Sequence, residues 1–240
     1  MNYLKVNHII NKQKINTMNT LSLGEAIRQD LKAGKDISIN PIDLSLPVIS
    51  PFIGTDVIKL IFIGQDPTIE NVTSRKHITC TLNLDKKNTL RTYVNNICDS
   101  LGITIENVYA TNLFKYFYTI PPAKTIDVLI AHLEPNLELL KKELAIYRNI
   151  PIITLGEPVL QLLVNSKSKV KDYWNYNYKT KKSDNNFTRS LAMENKLCKD
   201  FFPFPHQPSI SKEFYKETII SYLQYMSEII NCNNQDNNII

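Results

Sequence analysis

The sequence predicts an α/β protein with three αβα layers around a short, mostly parallel, four-stranded central sheet. Two observations predict it. Short, β-branched apolar runs recur along the chain, and amphipathic segments separate them. Runs of this length are typical of strands that are covered on both faces. Regular alternation of strand and helix favours parallel pairing with helices on both faces of the sheet.

The predicted strands share high apolar content and lie at 57–63 (VIKLIFI), 107–113 (NVYATNL), 150–155 (IPIITL) and 197–204 (LCKDFFPF). The predicted helices have apolar residues at helical spacing and cover 89–101, 125–147, 158–164 and 212–230. Gly102 suits the end of the first of these helices, and Pro135 is expected to break the second.

The chain is expected to form one domain over residues 21–230. The polar segment 1–20 is predicted to be a flexible N-terminal extension, and the asparagine-rich segment 231–240 a disordered tail.

Composition indicates what kind of partner and which compartment to expect. A net charge of +5 suits a polyanionic partner without requiring one. No apolar run reaches the roughly 18 residues of a membrane span, and 1–20 does not have the pattern of a secretory signal. We therefore expect a cytoplasmic monomer that does not contact membranes.

The four cysteines, Cys80, Cys98, Cys198 and Cys232, lie far apart and form no C-x-x-C pair. This spacing indicates that the cysteines act as small apolar residues in a reducing compartment, and it disfavours a cluster assembled from distant positions. We expect neither a metal nor another cofactor.

Polar residues follow each predicted strand, at the edge where doubly wound sheets bind ligands. Asp66 lies in Gly64-Gln65-Asp66-Pro67, where a rigid turn can hold a carboxylate that orients or deprotonates water. The alternative is a turn aspartate that bonds its own backbone. Asn112 offers one acceptor and two donors, which match a pyrimidine edge, but a turn role would suffice. His206, between two prolines, is either functional or a structural histidine.

Taken together, these strand ends resemble the uracil-DNA glycosylase superfamily. Residues 61–67 (IFIGQDP) look like its first motif, a hydrophobic strand that leads to G-Q-D-P. Residues 108–115 (VYATNLFK), followed by Pro121-Pro122, are similar to V-Y-x-T-N-x-x-K and P-P of its iron–sulfur branch. Residues 153–156 (ITLG) match the L-G turn, and 206–209 (HQPS) are similar to the second motif, H-P-S. The resemblance covers about residues 50–215.

The resemblance implies roles for single residues. Asp66 would position the water that attacks the sugar, and Gln65 would face the base. Asn112 would read the Watson–Crick edge of the pyrimidine. His206 would donate a hydrogen bond to the base oxygen that gains negative charge as the glycosidic bond breaks. Members of the superfamily flip the target base out of the duplex.

The chain departs from the family at several positions. Thr68 stands where the best-known branch has a tyrosine that blocks the 5-methyl group of thymine, so we assign Thr68 to the base pocket. The aromatic residue that stacks on the base would fall near 79–81, which holds none. Gln207 interrupts H-P-S. Tyr116 and His132 stand near the two later cluster cysteines of the iron–sulfur branch.

Residues 167–186 combine lysines with aromatic residues, a pattern of surfaces that hold opened or single-stranded DNA. The alternative is a hairpin whose rings pack inward. We assign Lys179, Lys181 and Lys182 to DNA binding.

Lys115 and Ser209 are also assigned to the DNA-binding surface. Ile210 is the position from which superfamily members push an apolar wedge into the vacated stack, although an ordinary role at a helix start would also fit.

The leading interpretation is a monofunctional DNA glycosylase, which hydrolyses the N-glycosidic bond of uracil or a related modified pyrimidine in DNA. The alternative is a catalytically weak or inert DNA- or base-binding member of the same fold. A nucleotide hydrolase is disfavoured because the sequence has no glycine-rich phosphate loop.

Overall fold

The computed structural model describes residues 2–34, 41–122 and 126–236. The helices are α1 (Asn2–Ala33), α2 (Val72–Arg75), α3 (Thr89–Ser100), α4 (Ile126–Leu144), α5 (Glu157–Leu163), α6 (Val170–Tyr173) and α7 (Glu213–Asp236). The strands are β1 (Phe52–Ile53), β2 (Leu60–Gly64), β3 (Val108–Asn112), β4 (Ile152–Leu155) and β5 (Phe202–Phe204).

The strands form one sheet in the order β1-β3-β2-β4-β5. Strands β2 to β5 are parallel, and Gly64 of β2 pairs with Asn112 of β3. The prediction of a mostly parallel sheet is confirmed, but its count of four strands is wrong. The fifth strand, β1, pairs antiparallel with β3. It has two residues, which are too few to show any periodicity in the sequence.

Burial explains why the central strands read as continuous apolar runs. All residues of β2, β3, β4 and β5 are buried. Both faces of the sheet are therefore covered, as parallel sheets require.

The connections place a crevice at the carboxyl end of β2, where the strand order reverses. The chain leaves β2 through α3 to reach β3 on one side, and leaves β3 through α4 to reach β4 on the other side. Because such crossovers are right-handed, α3 and α4 lie on opposite faces of the sheet. Helix α7 contacts α3, whereas α1 and α5 contact α4. Loops that diverge from neighbouring strands open a ligand-binding crevice at their carboxyl ends.

Helices extend into both end segments. Residues 2–20, within the predicted N-terminal extension, form the first part of α1, which packs on α4, and Asn16 Nδ2 donates to the backbone oxygen of Glu143 at 3.1 Å. Helix α1 has no marked apolar stripe, so its sequence resembles that of a solvated segment. Helix α7 continues to Asp236, through the first part of the predicted tail. Residues 237–240 lie outside the described residues.

Helix α4 continues through Pro135, where the sequence predicts a break. Buried residues on both sides of the proline, among them Leu133 and Leu137, pack against the core and hold the two halves in line. Packing thus outweighs the hydrogen bond that proline removes. No helix among the described residues is both long enough and apolar enough to cross a membrane.

Candidate active site

The loop after β2 holds Asp66 by two hydrogen bonds at the carboxyl edge of the sheet. The backbone N–H of Thr68 donates to Asp66 Oδ1 at 2.8 Å, and Gln65 Nε2 donates to Oδ2 at 2.7 Å. The predicted turn interaction is therefore present, and a catalytic role is compatible with it. Gln65, predicted to face the base, contacts the neighbouring carboxylate instead.

The electrostatics of Asp66 suit a general base. Burial raises the pKa of the Asp66 carboxyl from 3.8 to about 6, although hydrogen bonds from Thr68 and Gln65 and the charge of Arg75 act to lower it. A carboxylate with this pKa is ionised at neutral pH and is a stronger proton acceptor than an ordinary aspartate. Perturbed carboxyls of this kind are concentrated at functional sites.

The Asp66 loop is fastened to the chain that follows β3. Thr68 Oγ1 accepts a hydrogen bond from the backbone N–H of Tyr118 at 2.8 Å. The buried guanidinium of Arg75 donates to the backbone oxygens of Ile69, Tyr118 and Thr119. Thr68 therefore has a structural role that its assignment to the base pocket did not include.

Asn112, at the end of β3, has a side chain without a partner. It is 1% exposed, and neither Oδ1 nor Nδ2 forms a hydrogen bond within the protein. A Cβ at Gly64 would meet Asn112 Oδ1 at 2.5 Å, so the amide lies directly over the glycine that pairs with it. Burial of an unpaired amide costs about 1–3 kcal/mol. Both groups of this amide can pair with a ligand that offers one donor and one acceptor.

Leu82 lies beside the same glycine. Its Cδ2 would be 2.9 Å from a Cβ at Gly64, and its backbone is left-handed, with φ 57° and ψ 9°. Asn83, the next residue, also has a positive φ of 52°. Left-handed backbone at a bulky residue is strained and persists only where its surroundings impose it. No sequence pattern marks Leu82, because the family's stacking residue is aromatic and falls near 79–81, and φ values cannot be read from these residue types.

His206 follows β5 through Pro205, and its Cβ faces Gly156 in the turn after β4. It is exposed to solvent, while burial of part of the ring lowers its pKa below 6.5. It is therefore neutral at pH 7 and can donate one hydrogen bond. Since β5 lies two strands from β2, about 10 Å separates the ends of these strands.

The prediction that Lys115 binds DNA is wrong. Lys115 is 1% exposed, and its Nζ lies 2.6 Å from Oε2 of the buried Glu143. The same ammonium group donates to Thr111 Oγ1 and to the backbone oxygen of Asn112, both at 2.8 Å. Spacing could not reveal this arrangement, because Glu143 lies far along the chain on α4.

Residues 175–184 form a hairpin, called here the lysine hairpin, in which Tyr176 pairs with Ser183. Its tip exposes Lys179, Lys181 and Lys182. The neighbouring Trp174 is buried and donates through Nε1 to the backbone oxygen of Pro203, which anchors the hairpin to β5.

The hairpin interpretation of the segment 167–186 is confirmed for one of its rings, whereas the DNA-binding interpretation stays a prediction. Trp174 packs inward, whereas Tyr178 is 62% exposed. Lys171 Nζ lies over the rings of Tyr176 and Tyr178, at 4.4 and 4.1 Å from their centroids. Tyr176 also contacts Phe214 of α7, which places the hairpin beside the loop that carries His206.

Ser209 and Ile210 lie in the short 3-10 turn Gln207–Ser211 that follows His206. Gln207 begins this turn, so the residue that interrupts H-P-S does not displace His206 from the end of β5. Ile210 is half-buried against the core. The assignments of Ser209 to DNA and of Ile210 to the wedge stay predictions.

The residues near the cysteine positions of the iron–sulfur branch form polar contacts. The Tyr118 hydroxyl and His132 Nδ1 are 3.1 Å apart, and Asn136 Nδ2 donates to the Tyr116 hydroxyl at 3.0 Å. Burial raises the pKa of the Cys98 thiol to about 12.

Two clefts lie on other parts of the protein. One, of 1020 Å³, lies at the amino ends of β2 and β4, and another, of 790 Å³, lies near Tyr173 and Arg189. None of the described buried polar atoms without a partner belongs to a residue that lines them. The unpartnered amide favours the crevice at the carboxyl end of β2 as the functional site.

The fold and this crevice define a doubly wound α/β protein with a carboxylate and a free amide at its topological switch point. A model of the Uracil DNA glycosylase superfamily matches residues 51–225, more than half of the chain. The chain therefore belongs to the uracil-DNA glycosylase superfamily, whose members are glycosylases that act on uracil-like bases. This match confirms the resemblance and the predicted fold class. A comparison with curated proteins gives no match.

Proposed function

We propose that this protein is a monofunctional DNA glycosylase that hydrolyses the N-glycosidic bond of uracil, or of a closely related pyrimidine, in DNA. The free carboxamide of Asn112 is the observation that carries the proposal. Its Nδ2–H can donate to O4 of uracil while its Oδ1 accepts from N3–H. Uracil would thus supply the two hydrogen-bond partners that the Asn112 amide does not have within the protein.

The reaction uses the fixed carboxylate of Asp66. Its pKa of about 6 keeps it ionised at neutral pH, so it can align water against the anomeric carbon and take a proton from it. The bond between sugar and base breaks, and the base leaves as an anion. His206, neutral at pH 7, donates to the base oxygen on which the charge develops.

The pocket wall differs from that of the best-known branch. Leu82, held over Gly64 beside Asn112, supplies an apolar face for the flipped base where that branch has an aromatic ring. An aliphatic face stacks on a base less strongly than an aromatic ring does, so the pocket selects less strictly for uracil. The proposal therefore includes modified pyrimidines as well as uracil.

The exposed lysines of the lysine hairpin provide a sequence-independent contact to DNA phosphates. The hairpin is joined to β5 and α7, so it lies on the side of the crevice that carries His206. We propose that the protein engages DNA there as a monomer, and that the base enters the crevice by flipping.

A second candidate is a DNA- or base-binding protein without turnover. It is favoured by the bond from Gln65 Nε2 to Asp66 Oδ2, which occupies an oxygen that an attacking water would need. On the leading proposal, Gln65 gives up this bond when substrate enters.

One experiment separates the candidates. End-labelled oligonucleotides that carry uracil, 5-hydroxymethyluracil, thymine or cytosine are incubated with the protein, single- and double-stranded, and abasic sites are then cleaved with alkali. We expect cleavage at uracil by the wild type and none by Asp66→Asn purified in parallel. Binding of the uracil oligonucleotide without base release would establish the second candidate.

A further inference from the structure

A buried ion pair lies beside the end of β3. Lys115 and Glu143 form an ion pair with Nζ and Oε2 at 2.6 Å, and their side chains are 1% and 0% exposed. Buried pairs of this kind are weak contributors to stability, because desolvation offsets most of the attraction. The contacts of the pair, more than its contribution to stability, therefore indicate its role.

The contacts of the pair converge on the end of β3. Glu143 Oε1 accepts from the hydroxyl groups of Tyr109 and Thr111, at 2.6 and 2.8 Å. Lys115 Nζ donates to Thr111 Oγ1 and to the backbone oxygen of Asn112. The three polar partners of the ammonium group therefore lie on α4 and on the last two residues of the strand.

Asn112 depends on its backbone for its position, since its amide has no partner in the protein. On the side of β2, the backbone N–H groups of Leu113 and Phe114 donate to the oxygens of Gly64 and Gln65, at 2.9 and 2.8 Å. Lys115 Nζ adds a further hydrogen bond, to the backbone oxygen of Asn112 itself.

We infer that Lys115, with its charge balanced by Glu143, is a positioning residue for the base-recognising amide of Asn112. The inference rests on the proposed function. The ion pair acts through Asn112 and touches neither DNA nor the base. A displacement of about 1 Å at a reacting group can cost about 10²-fold in rate, so loss of the pair lowers excision although the pair lies outside the pocket.

A double-mutant cycle tests this role. The variant Lys115→Met with Glu143→Gln removes the charges without leaving one unpaired, and keeps an amide oxygen for Tyr109 and Thr111. We expect single-turnover excision of uracil to fall about 10- to 10²-fold while affinity for DNA stays unchanged. In an Asn112→Ala background, the same pair of substitutions should lower the rate less than about twofold, because coupled residues are not additive.

A matched ion pair serves as the control. Lys141 and Glu138 lie on the same helix, with Nζ and Oε1 at 2.8 Å, and both are partly exposed. Lys141→Met with Glu138→Gln should leave excision unchanged. The temperature of unfolding is measured for every variant, and rates are taken well below it.

Two further measurements keep the outcome decisive. Thr111→Val is a milder variant that removes one partner of Lys115; its smaller loss of rate should also vanish in the Asn112→Ala background. In ¹⁵N spectra, the side-chain amide signal of Asn112 should shift in the Lys115 pair variant and stay in place in the Lys141 pair variant. This signal can be measured whether or not the protein excises uracil, so it tests the positioning role independently of the proposed function.

Equal losses of rate with and without Asn112, or an unmoved amide signal, would overturn the positioning role. Absence of uracil excision by the wild type would instead overturn the proposed function.

Discussion

The two sides of the crevice are built differently. At the ends of β2 and β3, the amide of Asn112 is buried and the carboxylate of Asp66 is held by Thr68 and Gln65. At the end of β5, His206 is exposed, and the neighbouring lysine hairpin presents its charges to solvent. One side of the crevice is fixed by internal bonds, and the other is open to a partner.

This difference separates the restraint of Asp66 and Asn112 from the attraction of DNA by the lysine hairpin. Groups that act on a bond must be held close to one geometry, and buried hydrogen bonds supply that restraint. Exposed lysines act over several ångströms through charge, and salt weakens them. Substitutions on the β2–β3 side should therefore change the rate of excision, whereas those on the lysine hairpin should change affinity.

The largest effect is expected at Asp66. Asp66→Asn should slow single-turnover excision by about 10²- to 10⁴-fold, because it removes the proton acceptor. Affinity for DNA should stay the same, since the carboxylate makes no phosphate contact. Asp43→Asn is a matched control, because Asp43 Oδ1 also accepts a backbone bond within a turn, from Ser45 at 2.9 Å. A rate like that of the wild type in Asp66→Asn would exclude Asp66 from catalysis.

A smaller effect on rate is expected at Leu82. Stacking of one base on an aromatic ring contributes about 1–3 kcal/mol and an aliphatic face contributes less, so Leu82→Ala should reduce excision by less than about 10²-fold. Leu82→Phe should retain activity and tighten inhibition by free uracil. Leu44→Ala, at a partly exposed site outside the crevice, is the control. If Leu82→Ala excised uracil at the rate of the wild type, the base would rest on another surface.

The lysine hairpin should affect affinity and leave the rate at saturating protein unchanged. Replacement of Lys179, Lys181 and Lys182 by glutamine should flatten the slope of log affinity against log salt by up to about 2–3 units, since each lost phosphate contact removes about 0.7 to 0.9. Lys141, Lys142 and Lys199 replaced by glutamine give the same change in net charge away from the hairpin. Equal slopes in the two triple variants would place the DNA elsewhere.

Sequence reasoning succeeded where a strand and its end lie in one short segment. It placed Asp66 and Asn112 at one edge of the sheet, because each follows an apolar run and parallel strands end together. It also identified the superfamily that the family match confirms.

It failed where a residue's role depends on a distant partner. Lys115 looked like a surface cation because Glu143 is on another element. Thr68 looked like a pocket wall because its bond to Tyr118 crosses between two loops. The left-handed backbone of Leu82 arises from packing over Gly64, and no local pattern encodes it.

The pH dependence of kcat/KM for uracil excision tests the account most directly, because it reports ionisation of the free enzyme. Burial raises the pKa of Asp66 to about 6, and the carboxylate must be ionised to act as a base. We predict that kcat/KM is constant above about pH 7 and falls about tenfold per pH unit below about pH 6, and that this limb is lost in Asp66→Asn. A profile that stays flat down to about pH 5, or the same acid limb in Asp66→Asn, would contradict the assignment of Asp66 as the general base.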